Sequence, residues 1–170
     1  MQNIIDRHGL REDRWVLLRQ EEDGQLPSSA PDDDIIVPLP AWLSMQSELL
    51  DRPGRTAVWL APDHEPGQLQ PSLNLLTLIA IDFPSFTDGR GYSIARLLRE
   101  RYNYAGELRA LGDVWQDQVQ ALWLVGFDSF EIKPGKPLPQ GGLAGAAFSE
   151  HYQTSFRQPQ PLFRRCISHD

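Results

Sequence analysis

The sequence predicts an α/β protein with a mostly parallel sheet of about five strands, built from consecutive βα units with helices on both faces. After residue 34, short apolar segments alternate with amphipathic ones, and residues 75–83 are almost continuously apolar, as in a strand buried on both faces. Residues 3–19 have the pattern of an N-terminal β-hairpin. A partial βα-barrel is the alternative, because a complete eight-fold barrel typically needs about 250 residues.

The elements are predicted in order along the chain. In the hairpin, Ile4-Ile5 is expected to pair with residues 15–18 across a polar turn at 6–9. Further strands are expected at 35–37, 56–61, 75–83, 107–111 and 127–132. Helices are expected at 40–50, 68–75, 93–102, 114–125 and 142–156. Four side chains of the 93–102 helix are expected to point outward: Arg96, Arg99, Glu100 and Arg101.

The length of 170 residues suits one α/β domain. We divide it into a hairpin and loop at 1–34, βα repeats at 35–156 and a tail at 157–170. The net charge of -7 makes nucleic acid and anionic membranes poor partners. No apolar run approaches the roughly 20 residues of a membrane helix, and the first residues lack a signal-peptide pattern, so a cytoplasmic location is expected.

Metal and redox sites receive no support from the sequence. Cys166 is the only cysteine, so neither an internal disulfide nor a Cys-x-x-Cys pair can form. The four histidines are far apart and none is at metal-ligand spacing. We therefore expect no protein-held metal, and no cofactor is readable from the residues.

The turn between the 75–83 strand and the following helix is the strongest candidate site. Its candidate ligand-binding residues are Thr87, Asp88, Gly89, Arg90, Gly91, Tyr92 and Ser93. Glycines permit close approach of the backbone, helix N-terminal amides attract anions, and an arginine fork binds oxyanions. The turn therefore predicts a pocket for a small anion. The alternative is a plain βα loop in which Asp88 or Ser93 caps the helix.

Asp113 follows a second strand end and is the candidate catalytic carboxylate, paired with Arg90. The alternative is that Asp113 caps the next helix, and both roles can hold together. Three residues are supporting candidates: Asp82, Arg109 and Gln118. If Asp82 is buried it needs a partner, which Arg90 or Arg109 could supply.

The pair Gly89-x-Gly91 also suggests a dinucleotide-binding turn of the NAD type. That fingerprint needs a third glycine or alanine where Ile94 stands, and about five residues separate Phe83 from the first glycine. Asp113, roughly 20 residues further on, is the only feature that fits a ribose-binding acid. NAD-type binding is thus weakly supported.

Residues 83–131 contain four long motifs: Phe-Pro-x-Phe-Thr-Asp-Gly-Arg-Gly-Tyr-Ser, Ala-Arg-Leu-Leu-Arg-Glu-Arg-Tyr, Gly-Glu-Leu-Arg-Ala-x-Gly-Asp-Val and Gly-Phe-Asp-x-Phe. With these motifs the segment resembles a known bacterial family of domains of unknown function. That family is associated with oxidoreductases of sulfite reduction and with genes beside the sulfite reductase haemoprotein subunit. Trp115 and Gln116 depart from the leucine and arginine expected there.

The resemblance implies an accessory protein of assimilatory sulfite reduction whose partner is the sulfite reductase haemoprotein subunit, with an anion-binding pocket at the strand ends. The residues themselves support a second possibility. This is a small enzyme that acts on a phosphorylated, sulfated or carboxylated substrate through Arg90 and Asp113.

Overall fold

The computed structural model describes residues 3–19, 32–132, 135, 155–157 and 159–160. The strands are β1 Asn3–Asp6, β2 Gly9–Glu12, β3 Trp15–Leu17, β4 Asp34–Pro38, β5 Thr56–Leu60, β6 Leu78–Phe83, β7 Glu107–Gly112 and β8 Ser129–Glu131. The α-helices are α1 Leu39–Leu50, α2 Arg90–Arg96 and α3 Val119–Val125. 3₁₀ turns at Pro66–Leu75 and Gln116–Gln118 and a π-helical turn at Leu97–Arg101 complete the elements.

All eight strands form one sheet in the order β2-β1-β8-β7-β6-β5-β4-β3. Strands β3 to β8 are parallel to their neighbours, whereas β1 is antiparallel to both β2 and β8. The parallel part has six strands rather than five, because β3 joins it. The predicted hairpin was wrong in its second strand: Ile4 pairs with Arg11, and Trp15 pairs with Asp34 at the other end of the sheet.

The helices that the structure describes lie on one face of the sheet, not on both faces as predicted. Strands β3 to β8 follow each other in space as they do in the sequence, and right-handed crossovers in one direction place these helices on the same side. The large buried cluster joins helix residues such as Trp42, Ile94 and Leu122 to Val58 and Ile81 of the sheet. The cluster on the opposite face contains no residue of α1, α2 or α3.

The sheet curls into a half-barrel, which is the predicted alternative. Glu12 ends one outermost strand and Trp15 begins the other, so their Cα atoms are at most about 11 Å apart. In a flat sheet of eight strands these positions would be roughly 34 Å apart. Asp13, in the connection, ion-pairs with Arg109 on β7 at 2.9 Å. The helix-free face, from which Arg109 projects, is therefore concave.

The concave face contains a buried charge network centred on Arg109, whose side chain is fully buried. Its guanidinium donates to both oxygens of Asp13, at 3.0 and 2.9 Å, and to Glu107 at 3.0 Å. Ser129 accepts a bond from Arg109 at 3.3 Å and donates one to Glu107 at 2.6 Å. Arg109 thus ties β7 and β8 to the connection between β2 and β3.

Arg99 is buried, contrary to the prediction that it points outward. It lies in the π-helical turn after α2, four residues after the fully buried Ala95, and it is 6% exposed. Its guanidinium donates to the carbonyl oxygens of Gly126, Tyr104 and Gly106 and to the carboxylate of Asp128. Burial lowers the pKa of Arg99, and the Asp128 carboxylate opposes that shift.

Several other boundaries differ from the predictions. The helix predicted at 114–125 is a 3₁₀ turn followed by α3, and the one predicted at 68–75 is also 3₁₀. Arg157, placed in the predicted tail, donates to Phe127 O at 3.0 Å and lies over the Trp123 ring at 5.1 Å. The predicted 142–156 helix lies almost entirely outside the described residues, as do Cys166 and most of the 157–170 tail.

Candidate functional site

The carboxyl ends of the parallel strands meet at one edge of the half-barrel, where α/β proteins place their ligands. Strand β6 ends at Phe83 and is paired with Gly112, the last residue of β7. The loops after these two strands, residues 84–89 and 113–118, therefore lie side by side. We call this surface the signature edge.

Four residues lock the two loops of the signature edge together, and we call them the loop clamp: Phe86, Asp113, Trp115 and Gln118. The backbone N–H of Phe86 donates to Asp113 Oδ2 at 3.2 Å, and its carbonyl accepts from Gln118 Nε2 at 3.1 Å. The Phe86 and Trp115 rings have centroids 5.0 Å apart, and Trp115 Nε1 donates to Asp113 Oδ1 at 2.7 Å. The clamp fixes the shape of the edge.

Asp113 and Gln118 both form hydrogen bonds within the loop clamp, but Asp113 does not have the capping role suggested for it. Asp113 does not cap an α-helix: its oxygens accept from the 86 loop and from the Trp115 indole. Gln118 instead stabilises the start of the 3₁₀ turn, because its Oε1 accepts from the backbone N–H of Trp115 at 3.1 Å. Trp115, which departs from the leucine expected at this position, lies in the clamp.

Arg90 is exposed, and its guanidinium donates to both oxygens of the neighbouring Asp88 carboxylate. Its Nε donates to Asp88 Oδ1 at 3.0 Å and its Nη2 to Oδ2 at 2.7 Å, while its backbone N–H also donates to Oδ1 at 3.1 Å. These bonds lower the pKa of the Asp88 carboxyl. Asp88 thus accepts from the first N–H of α2, although the N-cap position itself is Gly89. An anion at Arg90 would compete with this pair.

The two glycines of the turn have different surroundings. A Cβ on Gly91 would lie 2.4 Å from Cζ of Phe83, so the missing side chain lets α2 pack on the sheet. A Cβ on Gly89 would meet nothing within 4 Å. Tyr92 packs edge-on against Phe83 at 5.8 Å, and burial raises the pKa of its hydroxyl.

The remaining turn residues, Thr87 and Ser93, are exposed. Thr87 Oγ1 lies within hydrogen-bonding distance of Ser85 Oγ, at 3.1 Å. Together, the turn presents Thr87, Arg90 and Ser93 to solvent at the start of α2.

Asp82 is buried and therefore needs a partner, but neither of the arginines suggested for it forms that contact. Its Oδ1 accepts from Nη2 of Arg19 at 2.9 Å, because the curl of the sheet brings the segment after β3 across the concave face. Arg109 binds other carboxylates on the same face, and Arg90 lies on the signature edge with Asp88.

A second part of the carboxyl-end edge was missed by the sequence reasoning. Arg19, Trp59 and His64 gather around a cavity of about 270 Å³ at the ends of β4 and β5. The polar run after β5, which includes His64, could have been found by the same logic that selected Asp113, namely a polar group directly after a buried strand. Arg19 could not, because it comes from a distant segment.

In the described part of the chain, no three His, Cys, Asp or Glu side chains gather in a way that could hold a metal ion. None of the helices described has the length and apolarity to cross a membrane.

The sequence was compared with families and with individual proteins. The family described as "Bacterial protein of unknown function (DUF934)" matches residues 57–163, well over half of the chain. The protein belongs to this family. The DUF934 match starts in β5 and includes the loop clamp and the Arg90 turn, whereas Asp13 and Arg19 precede it. Neither a curated protein nor a solved structure matches the chain.

Proposed function

We propose that the protein is an accessory of assimilatory sulfite reduction that binds the sulfite reductase haemoprotein subunit through the signature edge. The partner is suggested by the resemblance of residues 83–131 to the family associated with that pathway. The mode of action is suggested by the edge itself, whose polar residues hold its loops in a fixed shape.

The loop clamp is the observation on which the proposal rests. Asp113 uses one oxygen on Phe86 and the other on Trp115, and Gln118 bonds both loops. Each carboxylate oxygen can accept a second hydrogen bond, so these contacts leave the alternative of an enzyme that uses Arg90 and Asp113 open. Their effect is to keep the two loops in one shape, as a docking surface needs, and the binding role rests on this.

The exposed groups of the edge fit a protein partner. Phe86 is 38% exposed on top of the clamp, and Arg90 and Asp88 form an ion pair beside it. Aromatic and arginine side chains are the types that most often dominate binding energy at protein interfaces. Phe86 would supply apolar contact, and the ion pair of Arg90 and Asp88 would supply the charges that set the orientation of the partner.

The test measures association of the purified protein with the sulfite reductase haemoprotein subunit. We expect Arg90→Glu to weaken the complex at least about tenfold, because it places two like charges at the contact. Arg96→Glu is the matched control, since Arg96 is also an exposed arginine of α2 in a carboxylate pair, with Glu100 at 2.8 Å. Arg96→Glu should leave the affinity unchanged.

The proposal fails if the two proteins do not associate at micromolar concentrations and reductase turnover is unaffected. Equal losses from Arg90→Glu and Arg96→Glu would also count against the signature edge as the contact. Circular dichroism of both variants confirms that each is folded.

A further inference from the structure

A cavity of about 270 Å³ lies at the carboxyl ends of β4 and β5, beside the first residues of α1. Its lining residues are Arg19, Pro38, Pro40, Trp59, Ala61 and His64. Ligand sites in parallel βα architectures are found at this end of the strands. The volume is below the roughly 300–1,000 Å³ of sites for drug-sized ligands, so it suits a ligand of few atoms.

His64 has a fixed orientation in this cavity. Its Nδ1 accepts a hydrogen bond from the backbone N–H of Ala61 at 3.1 Å. Its ring stacks on that of Trp59, with centroids 6.2 Å apart and planes inclined by 29°. Because Nδ1 accepts, the neutral imidazole has its proton on Nε2, which is left as a donor for a ligand.

Arg19 is also held in place, by two contacts. Its Nη2 donates to Asp82 Oδ1 at 2.9 Å, and its guanidinium lies 5.3 Å from the centre of the Trp59 ring. Asp82 is 8% exposed, whereas the Arg19 side chain is 52% exposed and faces the cavity. A guanidinium has five N–H donors, so a fork that binds one carboxylate oxygen retains donors for a second oxyanion.

We propose that this cavity binds a small oxyanion, either a carboxylate or a tetrahedral phosphate or sulfur oxyanion. Arg19 and His64 Nε2 donate to its oxygens, and Trp59 holds both donors in position. The site is separate from Arg90 and independent of whether the protein binds sulfite reductase.

Isothermal titration calorimetry of the full chain tests the proposal, with inorganic phosphate, sulfate, sulfite and acetate as separate probes. At least one probe should bind saturably at millimolar concentrations or below, and the pattern among the four identifies the oxyanion type. His64→Ala and Arg19→Lys should each weaken that binding about tenfold, because each removes a donor or its fork geometry. Arg19→Lys keeps a positive charge beside Asp82 and therefore protects the fold.

Arg55→Lys is the matched control. Arg55 also pairs with a carboxylate, Asp34 at 2.6 Å, and lies 4.8 Å from the Trp15 ring, but it does not line the cavity. The Arg55→Lys variant should bind the oxyanion as tightly as the unchanged protein does. The proposal is overturned if no probe binds, if Arg55→Lys weakens binding as much as Arg19→Lys, or if only Arg90→Ala abolishes it.

Discussion

Gly91→Ala should destabilise the protein, whereas Gly89→Ala should not, although the two glycines are one residue apart in the same turn. A Cβ at position 91 would lie 2.4 and 2.6 Å from two atoms of the Phe83 ring. Carbon atoms pack best at about 3.5–4.0 Å, so the ring or the helix must shift by more than about 1 Å. Phe83 is 1% exposed and packs against Phe127 at 5.9 Å, which leaves the ring little room.

The magnitude follows from two opposing effects. Overpacking of a buried site costs about 1–3 kcal/mol, and the confined ring places Gly91→Ala near the upper end of that range. Alanine has a better helix propensity than glycine by about 1 kcal/mol, which offsets part of the cost. We expect a net loss of about 2 kcal/mol in the free energy of unfolding.

Gly89 has φ -85° and ψ -3°, which alanine adopts without strain, and a Cβ there would meet nothing within 4 Å. Gly89→Ala should therefore be neutral or stabilise by up to about 1 kcal/mol through the unfolded state. Urea denaturation followed by far-UV circular dichroism measures both variants. Equal midpoints for the two variants, or a more stable Gly91→Ala, would refute the packing argument.

Two further substitutions test the buried charges. Arg99→Met should lower the free energy of unfolding by about 3 kcal/mol, because it leaves the carbonyls around Gly126 without their donor. Arg101→Met, at an exposed neighbour, should change the free energy of unfolding by no more than about 0.5 kcal/mol. Similar urea midpoints for the two variants would contradict the inward position of Arg99. Burial raises the pKa of Glu131, so the folded protein binds the carboxyl proton more tightly than the unfolded chain does. The stability that this proton contributes is lost as the pH rises from the usual carboxyl pKa to the higher pKa of the folded state. Glu131→Gln should therefore raise the urea midpoint at neutral pH but not below pH about 4, and a gain that is constant across pH would refute this.

The sequence allowed the parallel βα core to be predicted because its signals are local. The apolar run that ends at Phe83 and the alternation around it are read within windows of a few residues. The partner of β3 was not predictable in this way. The pairing of Trp15 with Asp34 depends on the curvature of the whole sheet, which no short window of sequence contains. A hairpin whose second strand ends at Glu12 and one whose second strand ends at Leu18 are both compatible with the local sequence pattern.

The proximity of several candidate residues was predicted from the sequence, but their contacts were not. Asp113 and Gln118 do lie beside the turn before Arg90, because parallel strand ends meet at one edge. Arg99 was misplaced because a charged side chain was expected to face solvent, although it follows the buried Ala95 by one helical turn. Arg19 reaches Asp82 across 63 positions of sequence, a pairing that no spacing rule could suggest.

The curled sheet also restricts how other proteins can attach to this one. Its two outermost strands, β2 and β3, have four and three residues, and the short connection through Asp13 brings them close together. Short edge strands of a curved sheet are poor templates for an added strand, whether it comes from a binding partner or from a misfolded neighbour. Recognition by backbone pairing is therefore disfavoured, and a partner must instead read side chains and loops. Variants that change only side chains should for that reason be enough to abolish binding, without any change to the backbone of the sheet.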